Sequence, residues 1–167
     1  MKKKIGLYDS HKINSIQDML IQSARSNQDK IALEDLANTP IKKVTYNQLL
    51  DYVLKFGSAL KKLGIEERTH IAVIGENRVQ WGITYLTAMT FNFVIVPIDK
   101  NLNTNEILNI IHESDAEAII FSETFESTFR DRIGSLKKLK TYISIYFYLN
   151  SRKRNSRSII FKIFKLI

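Results

Sequence analysis

LTAMTFNFVIVPID, residues 86–99, runs from an apolar helical pattern through a polar kink at Asn92 into a short β-branched strand. Residues 94–96 are apolar without alternation, which is typical of a strand buried on both faces of a helix-covered parallel sheet. Because proline has no amide proton to donate, Pro97 is expected at the end of that strand, with Asp99 just beyond it. The stretch therefore predicts an α/β fold.

The most regular helix pattern lies upstream of that stretch. Thr45 and Gln48 have the spacing of a capping box, in which each side chain bonds the other residue's backbone amide. Gly64 is expected to end the helix in a left-handed conformation. Between them, apolar side chains recur at steps of three or four: Tyr46, Leu49, Leu50, Val53, Phe56, Leu60 and Leu63.

Helix and strand patterns alternate along the rest of the chain. We expect a helix capped by Ser15, a hairpin of residues 31–33 and 42–46, and helices that begin near Asn77 and Asn103. Strands are predicted at residues 70–74, 93–96, 118–121 and 142–145, with a helix over residues 123–133. This alternation predicts a parallel sheet with right-handed crossovers and helices on its faces.

The composition is that of a single globular domain with a basic tail. The chain has 167 residues, no cysteine and a net charge of +8. Residues 146–167 hold six basic and no acidic residues, so the body before them is nearly neutral. Met1 and three lysines are followed by no apolar segment of signal-peptide type, and no apolar run is long enough to span a bilayer. We expect a cytoplasmic protein.

The sequence contains no strong catalytic, phosphate-binding or metal-binding motif. The turn after residue 74 contains one glycine, Gly75, and matches neither a dinucleotide fingerprint nor a Walker loop. His11, His70 and His112 lack the spacing of zinc ligands, and no nucleophile elbow is present. The sequence therefore predicts no metal site and no catalytic residue.

Asn77, Arg78 and Trp81 form the most distinctive polar and aromatic group. They could meet a ligand at the carboxyl ends of strands. The favoured interpretation is structural, with Asn77 capping a helix and Trp81 packing on the sheet.

The tail SRKRNSRSIIFKIFKLI allows three interpretations. Its arginines could contact phosphate backbones, or its apolar residues and lysines could lie on an anionic membrane surface. The favoured interpretation is a biased terminus of the kind that AT-rich coding produces out of frame, because a short basic run is a weak pattern. We expect no nucleic-acid partner.

Several short motifs, in one order, resemble the AMP-forming (adenylate-forming) acyl-CoA synthetase superfamily. They include a Thr-Tyr-x-x-Leu helix start, a Glu-Asn-Arg-x-x-Trp helix and a strand that ends Val-Pro-Ile-Asp. The nearest subgroup is long-chain fatty acid–CoA ligase. The resemblance covers about residues 13–145, and its motif positions, which are architectural in the family, are Thr45, Tyr46, Leu49, Gly64, Glu76, Asn77, Arg78, Trp81, Val96, Pro97 and Asp99.

The resemblance implies the N-terminal part of an adenylate-forming ligase domain in residues 1–145, followed by an unrelated basic, apolar tail in residues 146–167. In the full-length family, Mg-ATP activates a fatty acid as an acyl-adenylate, and the acyl group then passes to CoA. The family's Ser/Thr/Gly-rich phosphate loop, its magnesium and adenine motif and its C-terminal lysine are absent from this sequence. No catalytic, cofactor-binding or metal-binding residue is therefore carried over, and no cofactor is expected for this chain.

Three functional hypotheses follow. The first is a fragment of a long-chain fatty acid–CoA ligase, truncated by a frameshift or stop and inactive alone. The second is a split-enzyme or regulatory subunit whose partner chain supplies the missing part of an incomplete parallel sheet. The third is a peripheral membrane protein that binds anionic lipid through its tail. A sheet that ended near residue 145 would also leave an unpaired edge.

Overall fold

The computed structural model describes residues 12–36, 42–132, 136–146 and 160–165; for residues 42, 146 and 160–165 it describes the backbone alone. The elements in these residues follow the predicted alternation of helix and strand. In chain order they are α1 (Ile16–Asn27), β1 (Ile31–Asp35), β2 (Lys42–Thr45), α2 (Tyr46–Lys62), β3 (His70–Ile74), α3 (Val79–Thr90), β4 (Val94–Ile98), α4 (Thr104–Glu113), β5 (Ala118–Ser122), a 3-10 turn (Glu123–Phe125), α5 (Glu126–Arg130), β6 (Thr141–Tyr146) and β7 (Ile160–Lys165).

The strands form two sheets. The predicted hairpin is confirmed, because β1 and β2 pair antiparallel. The larger sheet has the order β4-β3-β5-β6-β7. Its first four strands are parallel, as predicted, whereas β7 runs antiparallel to β6. The fold is therefore α/β, with a four-strand parallel sheet and flanking helices.

Alternate residues of β3 divide the core between the two faces of the sheet. Ile71 and Val73 pack with α2 and α3, whereas Ala72 and Ile74 pack with α4 and α5. Successive side chains of a strand point to opposite faces, so a central strand with helices on both sides must be apolar throughout. All four of these residues are at most 1% exposed.

Side chains begin three helices as their local sequence predicts. The Ser15 hydroxyl accepts from the Asp18 amide at the start of α1. Thr45 and Gln48 complete the capping box of α2, and Asn103 makes the equivalent box at α4. These bonds satisfy amides that have no partner within the helix.

Gly64 ends α2 in the predicted left-handed conformation, with φ of +84°. The amide of Ile65 donates to the Leu60 carbonyl and the amide of Gly64 donates to the Lys61 carbonyl. This is the Schellman pattern, which places glycine at the left-handed position because a side chain there is strained.

The position of β4 corrects two predictions. The strand lies at the outer end of the sheet rather than buried on both faces, and Val94 and Pro97 are exposed. It also continues through Pro97 to Ile98 instead of stopping at the proline. The Val94 amide donates to the Thr69 carbonyl, and bonds to one neighbour alternate along a parallel strand. Pro97 therefore occupies a position whose amide faces away from β3, where no ladder bond is lost.

The predicted helix over residues 123–133 is shorter in the structure. A 3-10 turn precedes α5, which ends at Arg130, while Ile133 lies outside the described residues. Phe129 is nevertheless buried, against Phe121 of β5.

The expectation of an unpaired edge beside β6 is wrong. β7 pairs with β6 over its whole length, from Thr141 opposite Lys165 to Tyr146 opposite Ile160. The turn that joins the two strands of the predicted hairpin and most of the basic run of the tail lie outside the described residues.

Candidate functional site

A cleft opens at the carboxyl ends of the parallel strands, where α/β sheets commonly bind ligands. Residues from the ends of β3, β5 and β6 and from the start of α3 form it. Its lining residues are Val73, Ile74, Gly75, Glu76, Arg78, Gln80, Trp81, Ser122 and Ile145.

Glu76 is the charged centre of the cleft. Its Oε1 accepts a hydrogen bond of 2.7 Å from the Thr124 hydroxyl, and its Oε2 lies 3.7 Å from Nε of Arg78. Burial raises the pKa of Glu76, but the bond from Thr124, the residue's own backbone amide, the nearby Ser122 hydroxyl and the Arg78 charge outweigh it. The pKa therefore lies below its ordinary value, and Glu76 is an anion at neutral pH.

The turn after β3 approaches the end of β5 closely. A Cβ on Gly75 would lie 3.1 Å from the Cβ of Ser122, tighter than ordinary van der Waals contact. This contact explains the glycine better than any phosphate-binding role, since a side chain here would push the two strand ends apart.

Buried polar atoms lie beside this turn. Oε1 of Gln80 and Oγ of Ser122 are inaccessible to solvent and accept or donate no hydrogen bond of good geometry within the described residues. Gln80 is 4% exposed and Ser122 is 8% exposed. Such groups destabilise a fold unless a partner satisfies them.

The structure separates the residues of the sequence motif into three places. Glu76, Arg78 and Trp81 share the cleft. Thr45, Tyr46, Leu49 and Gly64 belong to α2 and its two ends. Val96, Pro97 and Asp99 belong to the outer strand β4 and the turn after it, where Asp99 accepts from the Asn101 amide.

Asn77 does not have its predicted role. Arg78 occupies the N-cap position of α3, and its side chain makes no capping hydrogen bond. Asn77 lies one residue too early and is exposed. Trp81 is partly buried against the core and stacks on Tyr85, with ring centroids 5.2 Å apart. It also lines the cleft.

Sequence reasoning missed Gln80, Ser122 and Thr124. Thr124 is 48 positions from Glu76, so only the pairing of β3 with β5 brings them together. The one available signal was the presence of polar residues directly after buried strands. Because parallel strands end at the same edge of a sheet, such residues are expected to lie close together.

No set of three or more acidic, histidine or cysteine side chains within the described ranges could hold a metal ion. His70 contacts the Ser114 carbonyl through Nδ1, and His112 contacts Glu113. In the part of the chain that the structure describes, no helix combines the length and apolar character needed to cross a bilayer.

Comparison with known proteins agrees with this geometry. The family model described as AMP-binding enzyme matches residues 20–158. A long-chain-fatty-acid–[acyl-carrier-protein] ligase of Arabidopsis thaliana is 29% identical over 64% of this chain and 15% of its own length. A 4-hydroxybenzoate–CoA/benzoate–CoA ligase of Rhodopseudomonas palustris is 25% identical over 70% of this chain and 21% of its own length.

The fold likeness extends to solved structures. The N-terminal domain of FACL13 from Mycobacterium tuberculosis superposes with a TM-score of 0.71 at 20% identity, over 79% of this chain and 34% of that one. At that identity the likeness shows the fold alone.

The parallel sheet, its flanking helices and the cleft at the carboxyl edge define an α/β domain. The family match covers most of the chain, and the chain belongs to the AMP-binding enzyme family. It corresponds to the N-terminal part of that family's proteins, and it spans about a fifth or less of the length of the two curated relatives.

Proposed function

We propose that this chain is the N-terminal scaffold of an adenylating domain of the long-chain fatty acid–CoA ligase type, and that it performs no adenylation by itself. The Glu76-Asn77-Arg78-x-x-Trp81 pattern and the similarity to a plant fatty-acid ligase support the subgroup. The family joins a carboxylate to AMP at the expense of ATP and then transfers the acyl group to a thiol.

The charge of the cleft is the observation that carries this proposal. Adenylation needs cations and amide donors positioned around a triphosphate. Here the cleft holds the anion Glu76, whose lowered pKa keeps it charged, and the neighbouring cation Arg78 is already directed at that anion. An ionised carboxylate repels a polyphosphate, and its pairing with Arg78 leaves these two residues with no net positive charge for the phosphates.

The backbone of the cleft supports the same conclusion. Its turn contains the single glycine Gly75, which is held against Ser122, and the sequence contains no Ser/Thr/Gly-rich loop. The chain therefore contributes architecture, and the family's nucleotide-binding parts come from sequence that is absent here.

Equilibrium dialysis of labelled Mg-ATP against the purified chain tests the proposal. We expect no saturable binding up to millimolar nucleotide, whereas a full-length benzoate–CoA ligase of the family binds in the same buffer. Saturable binding that Arg78→Ala abolishes and Arg68→Ala retains would place a nucleotide in the cleft and contradict the proposal. Arg68 is the matched control because it lies in the loop before β3, at the other end of that strand.

A further inference from the structure

β6 has the composition of a strand that readily pairs with other chains. Its six residues, TYISIY, are β-branched, aromatic or small and polar, and they contain no charge, proline or glycine. Segments of this kind are aggregation hazards when their backbone edge is free. At the opposite end of the sheet, β4 carries Pro97 on its outer side, which is a common way to block further pairing.

β7 covers the free edge of β6. The six register pairs run without interruption, and the β6 residues Thr141, Tyr142, Ile143 and Ser144 are at most 4% exposed. The sequence of β7, IFKIFK, places two lysines in the strand that becomes the new edge. Lysine in an edge strand disfavours the addition of a further strand.

β7 also lies outside the family match, which ends at residue 158. The family match thus includes β6 and stops before β7, so the strand that closes this edge comes from sequence outside the match. We propose that residues 160–165 are a self-supplied edge strand that prevents β6 from pairing with β6 of a second copy of this chain. A partner chain that completed the sheet would have to displace the same strand.

Engineered disulfides test the pairing, because the chain contains no cysteine of its own. Ser144 lies opposite Lys162, and directly opposed residues of an antiparallel pair have a Cα separation of about 4.5–5.5 Å, within the range of a disulfide. We expect Ser144→Cys with Lys162→Cys to oxidise within one chain at low protein concentration.

Ser144→Cys with Ile163→Cys is the matched control. A shift of one residue places the second thiol on the other face of the sheet, so intramolecular oxidation should be at least about tenfold slower. Equal rates in the two double variants would contradict the observed register and with it the proposal.

Light scattering over a hundredfold range of concentration tests the consequence. We expect the full chain to remain monomeric and a chain that ends at Tyr146 to form dimers or larger species. A truncated chain that stays monomeric and folded, by circular dichroism, would overturn the proposal.

Two proline variants keep the test decisive if the truncated chain does not fold. The backbone amides of successive strand residues point to opposite sides of the strand. One of the variants Lys162→Pro and Ile163→Pro therefore removes a hydrogen bond to β6, whereas the other removes an amide that points away from β6. We expect one variant to associate like the truncated chain and the other to behave like the full chain. Identical behaviour of the two would show that β7 does not protect β6.

Discussion

In the middle of the sheet, β3 and β5 bury their side chains on both faces, whereas the turns that directly follow them carry charged and polar side chains that pair with one another. Phe121 is 1% exposed and contacts Phe129. Ile74 of β3 is the register partner of Phe121. Two residues further along the chain, Glu76 accepts a hydrogen bond from Thr124 and lies near Arg78.

The difference shows that apolar packing in the middle of the sheet, rather than the polar groups at its carboxyl edge, fixes the fold. Close packing on two faces fixes the arrangement of helices and strands, because a change of even one methylene in such a core costs stability. At the carboxyl edge, Glu76 accepts a hydrogen bond from Thr124 and pairs with Arg78, while Gln80 Oε1 and Ser122 Oγ find no partner among the described residues. Substitutions in the two regions should therefore differ in size and in their dependence on pH.

The largest effect is expected in the middle of the sheet. Phe121→Ala removes a ring buried between β5 and α5 and should lower the free energy of unfolding by about 3–5 kcal/mol. Leu36→Ala, at a side chain that is 74% exposed, is the control and should change it by less than about 0.5 kcal/mol. Urea denaturation followed by circular dichroism measures both, and equal losses would remove the distinction between the two regions.

A smaller loss of stability is expected at the helix starts. It distinguishes Thr45, which caps α2, from Asn77, which was predicted to cap α3 but does not. Thr45→Ala removes half of the capping box of α2 and should cost about 1 kcal/mol. Asn77→Ala, in the carboxyl-edge turn, removes no cap and should cost less than about 0.5 kcal/mol. The same denaturation experiment measures these changes. If Asn77→Ala lowered the free energy of unfolding more than Thr45→Ala, Asn77 would have a capping role, which would contradict the structure.

The smallest effect is expected at the carboxyl edge and depends on pH. The folded pKa of Glu76 is below its ordinary value, so its contribution to stability is complete above the unfolded pKa and is lost as the pH falls through the folded pKa. Melting temperatures of the unsubstituted chain and of Glu76→Gln should therefore differ at neutral pH and converge in acid.

Thr124→Val is the companion variant, because it removes the hydroxyl bonded to Glu76 and keeps the carboxylate. At neutral pH, we expect Thr124→Val to lower the melting temperature by part of the amount that Glu76→Gln lowers it. Asp18 and Asp115 also have lowered pKa values and titrate in the same acidic range, so only the difference between variants is informative. A difference that grows as the pH falls would mean that the pKa of Glu76 is raised.

Local chemistry made several parts of the fold predictable from the sequence. Ser15, Thr45 and Asn103 cap their helices because a side chain needs only its own next turn, and the left-handed Asn92 has φ of +58° where a polar kink was expected. Asn77 shows the limit of that reasoning, since Arg78 takes the cap position and its neighbour is left exposed.

Nonlocal pairing accounts for what the sequence did not reveal. An apolar run such as residues 94–96 suits a central strand, and only the strand order shows that β4 is at the edge. The contact of Thr124 with Glu76 and the pairing of β7 with β6 likewise depend on which strands become neighbours. Propensity and periodicity carry no information on that choice.

Release of pyrophosphate from ATP by the purified chain tests the central claim most directly. With Mg-ATP and a series of fatty acids, we expect release no faster than in the protein-free control, while a full-length ligase of the family is active in the same assay. Pyrophosphate release that depends on both the fatty acid and this chain alone, and that disappears with Arg78→Ala, would show that the carboxyl edge performs chemistry and would contradict the account.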